Sequence, residues 1–212
     1  MLKLSALFFL FWTFTDLNKN LLEAKKEITV CHSVMPTSMA DFVKDPAFIQ
    51  MHPVPNQIYL KVLGEEIKMV SIDGKDASAY FIESKTPSDK WLFVYQEWWG
   101  LNDHIRNEAT KYYEDLDGEI NVLALDMYDG KSTSNPSEAG KLMGGVDQTR
   151  LENIIKAGIS YTGSDAKIAS VGWCFGGGLS LRSALLEGQQ AIGSVMYYGM
   201  PVNDVEQLKT LN

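Results

Sequence analysis

KIASVGWCFGGGLSLRSALL, residues 167–186, decides the fold of this chain. Residues 167–172 read as a short buried strand and residues 177–186 as a helix. Between them stands Gly172-Trp173-Cys174-Phe175-Gly176, a G-x-C-x-G turn. This is the pattern of a nucleophile elbow with cysteine in the serine position. The glycines are needed because strand and helix approach too closely for side chains. Such a turn lifts Cys174 to the upper edge of a sheet and aims a helix N-terminus at its sulfur, which favours the thiolate. The backbone N–H of Phe175 then faces the place where an oxyanion would form. The competing reading is an inert cysteine buried in a glycine-rich turn.

Working outward, WLFVYQE (91–97) and NVLALDMY (121–128) are near-continuous apolar runs of strand length, as expected for strands covered on both faces. Residues 191–198 read as another buried strand. Residues 65–72 and 77–83 form an opening hairpin around Asp73-Gly74. Asn102-Asp103 is suited to cap a helix running to about Leu116, and residues 137–161 contain helical stretches. Strands alternating with helices after a hairpin predict an α/β fold: a mostly parallel sheet with helices on both faces. Ligands in such sheets bind at the C-terminal strand ends, here just after Glu97, Tyr128, Trp173 and Tyr198. Gln96-Glu97-Trp98-Trp99-Gly100 lies at one of these ends. Trp98 is the expected second oxyanion N–H donor. Glu97 would lie beside the thiol, holding it protonated or taking its proton when substrate enters; otherwise it is a solvated strand-end residue.

The remaining sequence adds context. The 212 residues carry a formal net charge of −8 and 45% apolar residues, which excludes a disordered chain, a collagen and a coiled coil. No run of four Lys/Arg exists, so no nucleic-acid partner is expected. Residues 1–15 place one lysine before a dozen apolar residues, the proportions of a signal peptide, so export to the periplasm or beyond is expected; membrane contact would arise only if this segment stays uncleaved. Residues 16–63 read as an N-terminal extension punctuated by prolines, with a short helix around residues 39–43. Cys31 and Cys174 are expected to remain unpaired thiols. No metal-ligand or cofactor pattern is visible, and neither is predicted. His104 reads as a helix-start histidine, not a catalytic base.

QEWWGLNDHIR, LDMYDG and VGWCFGGG, in this order and spacing, resemble the dienelactone hydrolase family of the α/β-hydrolases over about residues 64–200. The resemblance implies a cysteine hydrolase of lactones or small carboxylic esters, of the carboxymethylenebutenolidase type, with no cofactor. It implies that Cys174 is the nucleophile, Glu97 its neighbouring glutamate, and Trp98 and Phe175 the oxyanion donors. Members specific for dienelactone carry an arginine shortly after the D-x-Y segment. Here Asp126-Met127-Tyr128 is followed by Asp129-Gly130-Lys131, and a lysine lacks the bidentate fork. The family order is nucleophile, acid, histidine, yet no histidine follows Cys174. Asp204 reads as a helix cap. The expectation is therefore that residues 64–212 are a partial domain, lacking the catalytic Asp and His and at least two strands. Two other functions compete: an inert secreted binding module retaining a relic elbow, and a class I glutamine amidotransferase, which shares the G-x-C-x-G turn.

Overall fold

The structure, a computed structural model, describes residues 42, 44–55 and 63–211. These lie in the compact unit Pro36–Asn212. The expected signal segment, Cys31 and, apart from Phe42, the helix expected around residues 39–43 fall outside the described residues.

Helix α1 (Pro46–Met51) comes first. Asp45 caps it by accepting from the Ala47 N–H, and Pro46 occupies its first turn. The hairpin follows as β1 (Glu65–Met69) and β2 (Ala77–Ile82). Then come β3 (Lys90–Tyr95), α2 (Asp103–Asp115), β4 (Asn121–Leu125), α3 (Pro136–Gly145), α4 (Gln148–Thr162), β5 (Lys167–Trp173), α5 (Phe175–Glu187), β6 (Ala191–Tyr197) and the short α6 (Val205–Leu208). The helical stretch expected over residues 137–161 is two helices. Asp147 separates them and caps α4 by accepting from the Arg150 N–H.

The six strands form one sheet in the order β1-β2-β4-β3-β5-β6. β2 is antiparallel to β1 and β4, whereas β3, β4, β5 and β6 run parallel. The apolar runs are continuous because both faces are covered. Phe93, Tyr95, Leu123 and Leu125 face one core with Leu151, Ile154 and Leu179 from α4 and α5. Their neighbours Leu92, Val94, Val122 and Ala124 face the other, with Ile105 and Ala109 from α2. Strand alternation thus serves two apolar layers at once. The register aligns Tyr95 with Leu125 and Gly172, and Trp173 with Tyr197. The loops after these residues therefore meet along one edge.

Arg150 fastens the hairpin to this frame. Its guanidinium donates to Asp73, Asp129 and the carbonyls of Lys75 and Asp76. One strand departs from expectation: β6 is not buried. Ile192, Val195 and Tyr197 are 61%, 49% and 45% exposed. α5 covers only one of its faces, and no described strand pairs with its outer edge. An apolar run alone does not distinguish this from a central strand.

A polar thread crosses the core under β3. Tyr95 donates to Ser183, which donates to Glu187 at 2.5 Å. The other Glu187 carboxylate oxygen is buried and has no hydrogen-bond partner among the described residues. Burial raises this carboxyl to about 7, against a partial offset from Ser183. The native state therefore prefers the neutral acid. Its contribution to stability is full below the ordinary glutamate value and is lost as pH rises from about 4.5 to 7, by about 3 kcal/mol at most. Glu187→Gln should remove this slope, raising the thermal midpoint at pH 8 while leaving it nearly unchanged at pH 4.5. Parallel melting curves for both proteins at the two pH values check this.

Candidate active site

β5 runs directly into α5 with Cys174 as the only residue between them. Cys174 holds φ 55° and ψ −117°. This positive φ is costly for a residue bearing a Cβ, about 1–3 kcal/mol. Two glycines allow the turn. A Cβ on Gly172 would collide with the carbonyl oxygen of Gly176, and one on Gly176 with the Gln96 carbonyl. The Cys174 N–H donates to the Tyr197 carbonyl at 2.9 Å, and the Cys174 carbonyl accepts from Gly177. The strain is thus held by β6 on one side and α5 on the other. Asp129 (φ 54°) and Tyr198 (φ 42°) are also positive-φ residues, in the loops after β4 and β6. Conformational strain concentrates on this one edge of the sheet.

The structure brings the four expected residues together. The backbone N–H groups of Phe175 and Trp98 lie near enough to the Cys174 sulfur to favour negative charge on it, and the Glu97 carboxylate opposes that charge. Phe175 starts α5, so its N–H is free of intrahelical partners. Trp98 opens the loop after β3, where the Gly100 N–H donates to the Glu97 carbonyl and the Thr133 N–H to the Trp99 carbonyl. Two N–H groups converging from separate segments on one buried atom form a pocket for negative charge.

The surroundings favour the neutral thiol, as the neighbouring Glu97 suggested and against the pull of the helix N-terminus. Burial pushes it up to about 12; the two backbone donors pull the other way, and Glu97 adds to the rise. Cys174 is 1% exposed, and desolvation of a thiolate outweighs a helix terminus here.

Two tyrosines at this edge were not singled out in the sequence. Tyr198 donates its hydroxyl to Glu97 at 2.8 Å. The Tyr128 hydroxyl is buried without a hydrogen-bond partner among the described residues; burial first, and then the nearby Cys174 charge, make it harder to ionise. Its ring lies 5.4 Å from that of Phe175. Their place after the strand ends is a signal that the sequence carries; their contacts are not.

Asp126 is buried and spends its carboxylate on the N–H groups of Tyr128 and Gly130, shaping the loop that carries Tyr128. Burial raises this carboxyl above the usual aspartate range. A cavity of about 420 Å³ opens beside Tyr128, lined also by Met127, Lys131, Lys141 and Arg150. His104 sits in the first turn of α2, lining a separate cavity with Val54 and Ser132. Asp204 caps α6, as expected, accepting from Glu206 and Gln207.

The comparisons with known proteins bear on the fold and the family. The model of the dienelactone hydrolase family matches residues 77–212. "Protein usf" of Aquifex pyrophilus is 33% identical over 125 residues, covering 53% of this chain and 54% of that protein. A protein of Aquifex aeolicus (strain VF5) named "Putative carboxymethylenebutenolidase" is 28% identical over 124 residues, again covering 54% of its length. The chain thus spans about half the length of these curated relatives. Among solved structures, the dienelactone hydrolase-like promiscuous phosphotriesterase P91 from metagenomic libraries shares the fold. Its TM-score is 0.56 at 21% identity, covering 71% of this chain and 66% of that one. The sheet, the hairpin and the family match together set aside the glutamine amidotransferase reading: the chain belongs to the dienelactone hydrolase family.

Proposed function

We propose that this protein hydrolyses lactones or small carboxylic esters with Cys174 as the nucleophile. The observation that carries the reading is the elbow: Cys174 held at positive φ between β5 and α5 by the close approach at Gly172 and Gly176, with the Phe175 and Trp98 N–H groups near its sulfur. In this reading the resting thiol is neutral and protected. When substrate enters, Glu97 takes the thiol proton, and the sulfur bonds to the ester carbonyl carbon. The displaced carbonyl electron pair becomes an oxyanion held by Trp98 and Phe175. Collapse of that adduct breaks the acyl C–O bond. Glu97 returns the proton to the leaving oxygen, leaving a thioester for water to cleave. The unpartnered Tyr128 hydroxyl is placed to donate to the same substrate.

The substrate class follows from charge. Dienelactone itself would present a carboxylate to an arginine. Arg150, the arginine lining the adjoining cavity, has its fork occupied by Asp73 and Asp129. Lys131 offers a point charge without bidentate geometry. Neutral lactones and short acyl esters therefore fit better than dicarboxylate-like ones. We also infer export, from the lysine-then-apolar pattern of residues 1–15.

Mass spectrometry after exposure to p-nitrophenyl acetate should find one acetyl group on Cys174. Cys174→Ala should lose it with the fold intact, while Cys174→Ser should retain at most a weak trace. Acylation at another residue, or none in the parent protein, would overturn the reading and favour a binding module with a relic elbow. Glu97→Gln should change the pH dependence of Cys174 alkylation, because it removes the negative charge beside the thiol. An unchanged profile would exclude Glu97 from the chemistry. Tyr128→Phe should slow acylation about ten-fold, the scale of one lost hydrogen bond to substrate, with alkylation by a small uncharged reagent little altered.

A further inference from the structure

The segment preceding the hydrolase-like sequence is not an appendage to this site. α1 packs onto its core. Phe48 is 4% exposed, and its ring meets Trp98 edge-on at 5.1 Å. His52, which follows the last turn of α1, stacks on Phe48 at 4.0 Å and is fixed by a 2.7 Å hydrogen bond from Nδ1 to the Phe48 carbonyl. With Nδ1 as the donor, its ring is held in one orientation. From there it turns toward two residues of the candidate site: Trp98 at 6.1 Å and Tyr198 at 5.6 Å, with interplanar angles of 66° and 67°.

Tyr198 needs such a support. It is 64% exposed, its backbone is held at φ 42°, and its one hydrogen bond among those described is the donation to Glu97. An exposed tyrosine with a strained backbone has other rotamers open to it. The edge contact from His52 restricts it to the rotamer that reaches Glu97.

We propose that His52 is a positioning residue of the Cys174 site: with Phe48 it backs Trp98, and it holds Tyr198 on Glu97, so that the α1 arm sets how Glu97 engages the thiol. Two routes join the arm to the sulfur. One runs through Trp98, whose N–H points at Cys174, and the other through Tyr198 and Glu97. The inference rests on the assignment of Cys174 as the reactive thiol, but not on ester turnover.

The test is the rate of Cys174 modification by methyl methanethiosulfonate, measured from about pH 6 to 10. The proteins are the parent chain, His52→Ala, Tyr198→Phe, the double variant and His52→Phe, with Met51→Ala as a surface control. An edge contact between rings is worth about two- to ten-fold in an equilibrium. His52→Ala and Tyr198→Phe should each change the rate by about that factor, in the same direction. The double variant should fall short of the sum of the single changes, because the route through Tyr198 and Glu97 is common to both. His52→Phe keeps the ring and should return the rate to near that of the parent. A His52→Ala profile superimposed on the parent's, or effects that add, would overturn the proposal. So would a Cys174 that resists the reagent in every variant, since the arm would then set nothing at the thiol. Acylation by p-nitrophenyl acetate, run alongside, separates the two readings. Its absence with shifted, non-additive modification rates removes the hydrolase assignment and leaves the arm's role standing. Its presence with superimposed profiles does the reverse.

Discussion

The close approach of β5 and α5 is the constraint on which the rest of the structure depends. Without side chains at Gly172 and Gly176 the helix begins one residue after the strand ends, and Cys174 is left in a conformation it would not adopt alone. That conformation is held by bonds from both neighbours: its N–H to the Tyr197 carbonyl, and its carbonyl from Gly177. Cys174 then sits at the N-terminus of α5, at the end of β5 and beside the loop after β3. Neither oxyanion donor would point at the sulfur if the strand ended two residues later. The position of the site therefore follows from steric exclusion, and its chemistry from what that exclusion places beside the sulfur.

What lies beside the sulfur explains why the thiol is quiet. A helix N-terminus and two N–H donors favour a thiolate, but burial and the neighbouring Glu97 charge oppose it, and they prevail. In the proposed reaction the same donors act on a charge that appears later, on a carbonyl oxygen delivered by substrate. A site that stabilises negative charge yet leaves its own sulfur neutral is spared adventitious oxidation, since susceptibility follows thiolate character and exposure. In the proposed reaction the thiol reacts only once a substrate has displaced solvent and Glu97 engages it.

The elbow, the hairpin and the two-sided strands were legible because each is local: glycine spacing, a turn dipeptide, an apolar run. The pairing of Trp98 with Phe175 was legible because strand order puts the loop after β3 beside the loop after β5. Tyr198 and His52 were not, because their roles rest on contacts across 101 positions in one case and on a proline-rich stretch with no periodicity in the other. The resting state of the thiol stayed open for a related reason. A helix terminus is visible in a sequence, whereas the depth at which a sulfur is buried is not. β6 shows the converse limit. An apolar run reports that a strand is suited to cover, not that cover is present.

The contrast between Arg150 and Lys131 bears on how such a site changes substrate without changing chemistry. Arg150 is 11% exposed at its side chain and bridges Asp73 to Asp129, so its five donors are committed to fastening the hairpin to α4 and to the loop after β4. Freeing it for a ligand carboxylate would release that loop, and with it Tyr128. Selectivity for a carboxylate-bearing lactone would instead require a new bidentate group near residue 131, on a backbone that Asp126 already fixes through Tyr128 and Gly130. The elbow and its two donors need no change for this. The elbow and the charge recognition thus sit on different loops of the same edge, and at the second a lysine, Lys131, stands where the dienelactone-specific members carry an arginine.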